Sequence, residues 1–159
     1  MPTPPFVLSL RSKIGHDPLW LSGITAVVVR EIDGVDHVLL IQRSDNGRWT
    51  PVNGIVDPGE HPADAAVREV REEASVECEV IRMTSLSVTG QVRYLNGDVS
   101  QYIDHAFLCR WLSGAGEPGD DEALAVQWCP IDALPAMDSD NTMRTSIALE
   151  GDPECRLVR

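Results

Sequence analysis

The segment GIVDPGEHPADAAVREVREEASV, residues 54–76, constrains the fold of this chain more than any other segment. After a loop, its apolar residues recur at helical spacing and predict one stripe that faces the core: Ala63, Ala66, Val67, Val70 and Ala74. Glu69, Glu72 and Glu73 are spaced i, i+3 and i+4, which predicts a cluster of carboxylates away from that stripe. Crowded like charges repel one another, so the pattern favours a divalent metal ion between them.

The same charges also fit a plainer interpretation, a solvated helix face with one salt bridge. Like-charge pairs at these spacings cost only about 0.2–0.5 kcal/mol each, which an exposed helix tolerates. Arg68, next to Glu69 and four residues before Glu72, is able to neutralise or orient one carboxylate while the others remain available to a metal ion. Gly54 and Glu60, in the loop before the helix, favour a metal site over a solvated face. A metal ion beside such a loop is typical of phosphate chemistry.

Length, charge and cysteine content narrow the class of protein. A chain of 159 residues favours one domain with a hydrophobic core. The net charge of −12 argues against nucleic acids and membrane surfaces as partners, yet bound Mg²⁺ or Mn²⁺ would let an acidic site hold a polyanion. No apolar run approaches the roughly 20 residues of a membrane span. The four cysteines, widely spread and without a C-x-x-C pair, predict reduced thiols and a cytoplasmic protein rather than a zinc site.

The remaining pattern predicts an N-terminal arm, residues 1–21, followed by a single domain, residues 22–159. Three prolines, Pro2, Pro4 and Pro5, resist regular structure in the arm. Asp33-Gly34 and Asn96-Gly97 are hairpin signals. Extended segments are predicted at 24–32, 37–43, 49–56, 77–89, 88–94, 99–111 and 125–131, loops at 44–48 and 114–121, and a terminal helix at 141–150.

The spacing in residues 54–76 closely resembles the Nudix box, G-x5-E-x7-R-E-U-x-E-E-x-G-U, where U is an aliphatic residue. Eight of its nine defined positions match, from Gly54 and Glu60 to Val76. The flanking segments WTPVNG, QYIDHAFLCRW and DDEALAVQWCPIDALP look like a Nudix domain too, so the resemblance covers roughly residues 22–150. It implies an α/β fold, a Nudix-type α/β/α sandwich with a mixed central β-sheet.

The resemblance also implies roles for the matching residues. One or more Mg²⁺ or Mn²⁺ ions would be held by a set of five residues: Glu69, Glu72, Glu73, Gly54 through its backbone carbonyl, and Glu122 as an additional acid. The expected catalytic residues are Glu69 or Glu72 as the base that deprotonates the attacking water, and Arg68, which orients Glu69. Glu60 would support the helix electrostatically or reach a metal ion through water.

The activity implied is hydrolysis of the pyrophosphate linkage in a nucleoside diphosphate joined to another group, as in a nucleoside triphosphate, ADP-ribose or a nucleotide sugar. A non-catalytic nucleotide-sensing Nudix module is the alternative. A Nudix-fold isomerase acting on an isoprenyl diphosphate is a third interpretation, which requires a reactive cysteine near the metal, and Cys78 follows the box.

Other candidate substrate contacts lie outside the box. Arg43 and Arg48 flank the preceding loop and are placed either to bind phosphate or to keep the surface soluble. A base could stack on one of several aromatic residues, although packing is their other role: Trp20, Trp49, Tyr94 and Tyr102. Asp104 and His105 are adjacent in a strand and are predicted to face opposite sides. The arm is expected to complete a pocket or to exchange across a homodimer.

Two departures from the family pattern bear on geometry. Ser75 stands where the box has glycine, and it would cost about 1 kcal/mol if the backbone there is left-handed. Val52 and Asn53 stand where Pro-Gly is usual, which affects the shape of the loop before Gly54.

Overall fold

The computed structural model describes residues 3–119 and 121–159 of the chain. Its helices are α1 (Pro5–Ile14), α2 (Pro62–Ala74) and α3 (Ser139–Leu149). Its strands are β1 (Leu19–Ile32), β2 (Val35–Arg43), β3 (Trp49–Thr50), β4 (Val52–Ile55), β5 (Glu77–Val88), β6 (Val92–Arg93), β7 (Val99–Ser113), β8 (Ala123–Pro130) and β9 (Arg156–Leu157). All of these strands belong to one mixed sheet.

Strand β1 forms the centre of the sheet. It runs parallel to β7 along one edge and antiparallel to β4 and then β2 along the other. The strand order is β3-β2-β1-β7-β5-β9, with β8 paired to β2 and β6 paired to β7. Strand β1 is buried on both faces, because Ala26, Val27 and Val28 are all inaccessible to solvent.

Helices α2 and α3 cover opposite faces of the sheet. Ala26 and Val28 of β1 lie in one core cluster with Val70 of α2. Val27, between them, lies in a second cluster with Ala148 of α3. Since successive side chains of a strand point to opposite faces, the chain forms three layers, helix, sheet and helix. This arrangement is the α/β/α sandwich with a mixed sheet that the sequence predicted.

Both predicted hairpin turns are present. Asp33 and Gly34 have positive φ values of 51° and 79°, as a two-residue hairpin between β1 and β2 requires. The Asn96-Gly97 turn is closed by the Tyr94 amide, which donates to the Asp98 carbonyl at 2.9 Å. The strand predicted at 88–94 is reduced to β6, because the chain leaves the ladder around Gly90. Of the loop predicted at 114–121, residue 120 lies outside the described residues.

The prediction that the prolines keep the N-terminal arm irregular is wrong for residues 5–14, which form α1. Pro5 begins the helix, and a proline is tolerated in the first turn because its missing N–H would have no helical partner. Arg11 fastens α1 to the start of β7 by donating to the Val99 carbonyl at 2.7 Å. β1 also begins at Leu19, inside the predicted arm. No helix in the described part of the chain is long and apolar enough to cross a membrane.

Candidate active site

Helix α2 is held at both ends by specific caps. At its start, His61 Nδ1 accepts a hydrogen bond from the Ala63 amide at 3.2 Å, and Pro62 occupies the first turn. At its end, Ser75 adopts the left-handed conformation, with φ 53° and ψ 38°, which is the backbone geometry for which a cost was expected. The loop after β7 adds further caps, because Gly119 N donates to the Glu73 carbonyl at 3.0 Å. The helix is therefore a fixed platform for its side chains.

The expectation that the three glutamates lie away from the core is wrong for two of them. Glu69 is 1% exposed and Glu73 is 4% exposed, whereas the side chain of Glu72 is 43% exposed. The helical pattern predicted exposure for them because only apolar residues were taken to face the core. Here the buried face of α2 is wider than the stripe and includes both carboxylates.

Gly54 makes room for the Glu69 side chain. A Cβ atom built on Gly54 would lie 2.3 Å from both Cγ and Cδ of Glu69, which is far inside van der Waals contact. The predicted loop glycine and the first box acid are thus brought together, with the backbone of β4 directly against the carboxylate. Any larger residue at position 54 would displace Glu69.

Arg68 joins the loop and the helix by several hydrogen bonds. Its guanidinium donates to Glu60 Oε1 at 2.8 Å and to Glu60 Oε2 at 2.9 Å, and to the Ile55 carbonyl at 3.1 Å. It also donates to Glu69 Oε1 at 2.9 Å and to Glu72 Oε2 at 3.3 Å. The sequence predicted the contact with Glu69; the structure adds that Glu60 is a partner of the same arginine. Arg68 therefore fixes the position of Glu69 relative to β4.

Burial dominates the electrostatics of Glu69. Desolvation raises the pKa of its carboxyl from 4.5 to about 7, against the opposing attraction of the Arg68 charge and hydrogen bond. Glu60 shows the reverse, since its hydrogen bond to Arg68 lowers the pKa of its carboxyl. Glu60 and Glu69, which both accept from Arg68, thus differ in proton affinity because Glu69 is the more deeply buried, at 1% exposed against 18%.

The carboxylates have the character expected of metal ligands. Glu69 Oε2 is buried and accepts no hydrogen bond from any described residue, so this oxygen is available to a cation. Carboxylate and backbone carbonyl oxygens are the ligands that Mg²⁺ prefers. Among residues 3–119 and 121–159, no three histidine, cysteine or acidic side chains already converge to hold an ion. The buried oxygen of Glu69 thus fits a divalent ion, and Glu72 has one of its oxygens hydrogen-bonded to Arg68 at 3.3 Å.

Arg43 lies beside this acidic group. It is ion-paired with Asp45 at 2.9 Å, and the hydrogen bond with Asp45 together with the charges of Glu73 and Glu122 raises the pKa of its guanidinium. The carbonyl of Glu122 accepts a hydrogen bond from the Ser44 amide at 2.7 Å. The structure thus brings the predicted Glu122 and Arg43 to the same edge of the site as Glu73.

The other predicted contacts are spread over the surface. Arg48 is exposed in the loop between β2 and β3. Tyr102 forms a 2.6 Å hydrogen bond between its hydroxyl and that of Tyr94. Trp49 is half-buried against the second core cluster, and Trp20 is 56% exposed. Tyr94 and Tyr102 are thus the two of these aromatic residues that the structure joins.

Cys78 does not lie where an isomerase mechanism would require it. Its side chain is 4% exposed and belongs to the main core cluster, under α2. All four cysteines are free thiols. Cys78 is hydrogen-bonded to Cys109 within this apolar cluster rather than joined to the box carboxylates, so the structure offers no support for the isomerase interpretation.

A chain of buried polar residues lies on the other face of the sheet. Arg144 of α3 pairs with Asp104 at 3.1 Å, and Asp104 accepts a hydrogen bond from the Thr25 hydroxyl at 3.0 Å. Asn53 donates to that hydroxyl at 3.0 Å. The predicted separation of Asp104 and its neighbour is confirmed, because His105 makes a different contact, 3.0 Å from the Gly23 carbonyl. Sequence reasoning missed this chain, although Asn53 in place of the usual glycine was a visible signal.

The sequence model of the NUDIX domain matches residues 22–149, which is most of the chain. The chain belongs to the Nudix family. The family membership and the fold predicted from the box are thereby confirmed.

Relatives with curated names support this membership. A MutT-like protein of Streptomyces ambofaciens is 33% identical over 117 residues, which cover 74% of this chain and 68% of that protein. An 8-oxo-dGDP phosphatase of Mus musculus is 30% identical over 115 residues, covering 70% of this chain and 33% of that enzyme. A relative from Caenorhabditis elegans is 36% identical, and the match spans 29% of its length. The Nudix chain thus spans about a third of the length of two of these relatives.

Solved structures show the same fold. An ADP-ribose pyrophosphatase of Streptococcus suis superposes with a TM-score of 0.67 at 23% identity, covering 87% of this chain and 98% of that one. A NUDIX hydrolase of Nitrosomonas europaea superposes with a TM-score of 0.62 at 20% identity, covering 86% and 77% respectively. At these identities the likeness establishes the Nudix architecture.

Proposed function

We propose that this Nudix protein is a Mg²⁺- or Mn²⁺-dependent hydrolase that cleaves the pyrophosphate linkage of a nucleoside diphosphate joined to another group. The buried carboxylate of Glu69 carries this proposal. An acid enclosed beside Gly54, with one oxygen that no described residue satisfies, is costly to fold around unless it serves a ligand. The presence of every acid of the Nudix box supports the same conclusion.

Glu69, Glu72 and Glu73 would hold the metal ion together with the backbone carbonyl of Gly54, and Glu122 would add a carboxylate. When bound, the ion supplies charge that neutralises the diphosphate and lowers the pKa of bound water. Arg68 keeps Glu69 in place through a 2.9 Å hydrogen bond while Glu60 anchors the other side of the same guanidinium. This fixed geometry is the protein's own contribution, because orientation of the reacting groups accounts for much of catalysis.

A carboxylate near the ion would take the proton of the attacking water. Glu69 and Glu72 are the two candidates for this role. A pKa of about 7 suits Glu69 for a general base at neutral pH, whereas the exposed Glu72 is the more accessible to solvent. Separate substitutions of the two residues distinguish these roles.

The relatives indicate the class of substrate. The names of two of them specify 8-oxo-dGDP and ADP-ribose, which are both nucleotides with a diphosphate. For this chain we propose a nucleoside triphosphate, ADP-ribose or a nucleotide sugar, with Arg43 and Arg48 as phosphate contacts and Tyr102 as a stacking surface for the base. We also propose a cytoplasmic protein that binds a small molecule rather than nucleic acid or a membrane, and a homodimer in which the N-terminal arm takes part.

The test is a hydrolysis screen with Mg²⁺ and with Mn²⁺ across these substrate classes, assayed for phosphate, pyrophosphate and nucleoside monophosphate. Glu72→Gln is expected to keep the fold and to lower turnover by about two orders of magnitude or more, since it removes a group that acts directly on the reaction. Glu79→Gln is the matched control, because Glu79 is an exposed acid paired with Arg110 on β5. Near-wild-type turnover in purified Glu72→Gln protein would overturn the assignment of Glu72. Nucleotide binding without hydrolysis in the wild type would instead favour the sensing module.

A further inference from the structure

Asn53 and Gly54 are consecutive residues of β4, so their side-chain positions point to opposite faces of the sheet. Gly54 lies against Glu69, on the face that α2 covers. Asn53 lies opposite Thr25 in the ladder with β1, and it contacts the Thr25 side chain on the other face. Strand β4 thus separates the carboxylates of α2, on one face, from the Asn53 side chain, on the other.

The orientation of the Asn53 amide is determined by the residues behind it. Asp104 is ion-paired with Arg144 at 3.1 Å. Its carboxylate can only act as an acceptor, so the Thr25 hydroxyl donates the hydrogen bond between them, at 3.0 and 3.1 Å. A hydroxyl has a single hydrogen, so once that hydrogen is donated to Asp104 the Thr25 oxygen must act as an acceptor towards Asn53. The group of Asn53 that faces Thr25 is therefore the NH₂ group.

The amide oxygen of Asn53 is consequently the atom that remains for another donor. Its NH₂ group donates to Thr25 at 3.0 Å and to the Val52 carbonyl at 3.4 Å. No described residue donates a hydrogen bond to the Asn53 oxygen, and this oxygen is not among the enclosed polar atoms that lack a partner. Because Asn53 is partly exposed, this oxygen is an oriented acceptor that no described residue uses.

Stability alone gives no sufficient reason for the groups that hold Asn53. Asp104 and Arg144 are each 5% exposed and Thr25 is fully buried. A buried ion pair is a weak source of stability, because desolvation of the two charges offsets most of their attraction. The same residues do act on orientation, since Thr25 accepts from the Asn53 amide and the ion-paired Asp104 sets the direction of the Thr25 hydroxyl.

We propose that Asn53 is a specificity-determining residue that accepts an N–H of the substrate's nucleobase, and that Thr25, Asp104 and Arg144 are positioning residues for its amide. This inference rests on the proposed function, because it assumes that the ligand is a nucleotide. Gly23 and Tyr102 support a base on this face: the Tyr102 ring lies 3.4 Å from where a Cβ of Gly23 would be, so an aromatic surface borders a position without a side chain. The diphosphate would remain with the carboxylates on the other face.

The test compares nucleotides that differ in one donor group. Wild-type protein and variants are assayed for kcat and KM with GTP against ITP and with ATP against purine riboside triphosphate, and for binding of the corresponding monophosphates by calorimetry in EDTA. Ribose hydroxyls also donate hydrogen bonds, so dGTP and dATP are included. The wild type is expected to favour at least one donor-bearing base over its analogue by about 2- to 12-fold, the range of one net hydrogen bond.

Asn53→Leu is expected to abolish this preference by lowering kcat/KM for the donor-bearing nucleotide to the value for its analogue. Thr25→Val is expected to reduce the preference, and Thr25→Ser, which keeps the hydroxyl, to restore it. Ser87→Ala is the matched control, since it removes a hydroxyl that accepts from Arg144 at 3.5 Å and leaves the side chains of Arg144, Asp104 and Thr25 in place. The Thr25 variants decide the matter if Asn53→Leu does not fold.

The outcomes separate the two proposals. An unchanged base preference in Asn53→Leu, or an effect that follows the ribose hydroxyl instead of the base, would overturn the inference while leaving the hydrolase assignment intact. A wild type that neither hydrolyses nor binds any of these nucleotides would overturn both. Loss of the preference in Asn53→Leu together with its recovery in Thr25→Ser supports the inference.

Discussion

Replacing Glu69 by glutamine should make the metal-free protein less sensitive to rising pH while it abolishes turnover. The physical cause is the raised pKa of the Glu69 carboxyl, which is about 7 in the folded protein against 4.5 when it is solvated. The folded state therefore holds this proton more tightly than the unfolded state does. Stability then falls as the pH rises between these two values, because the unfolded chain is the first to release the proton.

The size of the effect follows from the two pKa values. Below pH 4.5 both states are protonated and the buried acid costs nothing through ionisation. Above pH 7 the folded state must hold a charge away from water, which corresponds to about 3 kcal/mol at roughly 1.4 kcal/mol per pKa unit. Glutamine has the same shape and no charge. Between pH 5 and pH 8 the stability of Glu69→Gln relative to wild type should thus rise by about 2–3 kcal/mol.

Urea unfolding in EDTA at both pH values measures this change. The comparison uses the change in the difference between variant and wild type, so it is insensitive to any constant cost of burying the glutamine NH₂ group. It also cancels the titration of the other acids, which both proteins share. Glu72→Gln is the matched control, because it removes an exposed carboxylate one turn along the same helix. Its stability relative to wild type should change by less than about 0.5 kcal/mol between the two pH values.

Addition of Mg²⁺ at pH 8 completes the test. An ion that binds only the folded state should raise the stability of the wild type in a concentration-dependent way, and Glu69→Gln should show little of this increase. The reasoning is refuted if the difference between Glu69→Gln and wild type is the same at pH 5 and pH 8, or if the variant becomes relatively less stable at the higher pH.

Two further substitutions test the geometry of the site. Gly54→Ala should destabilise the fold by about 1–3 kcal/mol and lower turnover, because its Cβ would overlap Glu69. Gly90→Ala is the control, because Gly90 lies in open space, and urea unfolding should show it to be nearly neutral. Equal destabilisation by the two substitutions would contradict the close approach of Gly54 to Glu69. Ser75→Gly should raise the free energy of unfolding by about 0.5–1 kcal/mol, since glycine adopts the left-handed cap without strain, whereas Ser75→Ala should not raise it. Thermal unfolding of the two variants measures this difference. The absence of a gain with glycine would argue against strain at this cap.

The elements that could be predicted from the sequence are those with local signals. Helix α2 follows from its apolar periodicity and from Pro62, and the two hairpins follow from Asp33-Gly34 and Asn96-Gly97. Local signals failed to predict α1. A proline in the first turn of a helix cannot be told from a proline in an irregular arm by sequence alone. Local signals also gave no warning of the short β9, which pairs with β5 through only Arg156 and Leu157.

The missing parts of the site depend on partners that are distant in sequence. Periodicity predicted that Glu69 is solvated, but its burial depends on β4 passing directly over α2 at Gly54. Thr25 and Asp104 are 79 positions apart, and they meet because β1 runs parallel to β7. A parallel pairing between such remote strands leaves no mark on either segment, so neither the sheet order nor the Asn53 chain could be derived from local pattern.

Strand β4 therefore lies between two buried charges that the fold would be more stable without. Burial raises the pKa of Glu69 on one face and that of Asp104 on the other, so ionisation of either carboxyl carries a cost in desolvation. Arg68 and Arg144 offset part of this cost through ion pairs at 2.9 and 3.1 Å. Two adjacent backbone positions, Asn53 and Gly54, meet these two groups from opposite sides. Under the proposal for Asn53, a substrate whose phosphates and base lie on either side of this strand would give both carboxyl groups a function.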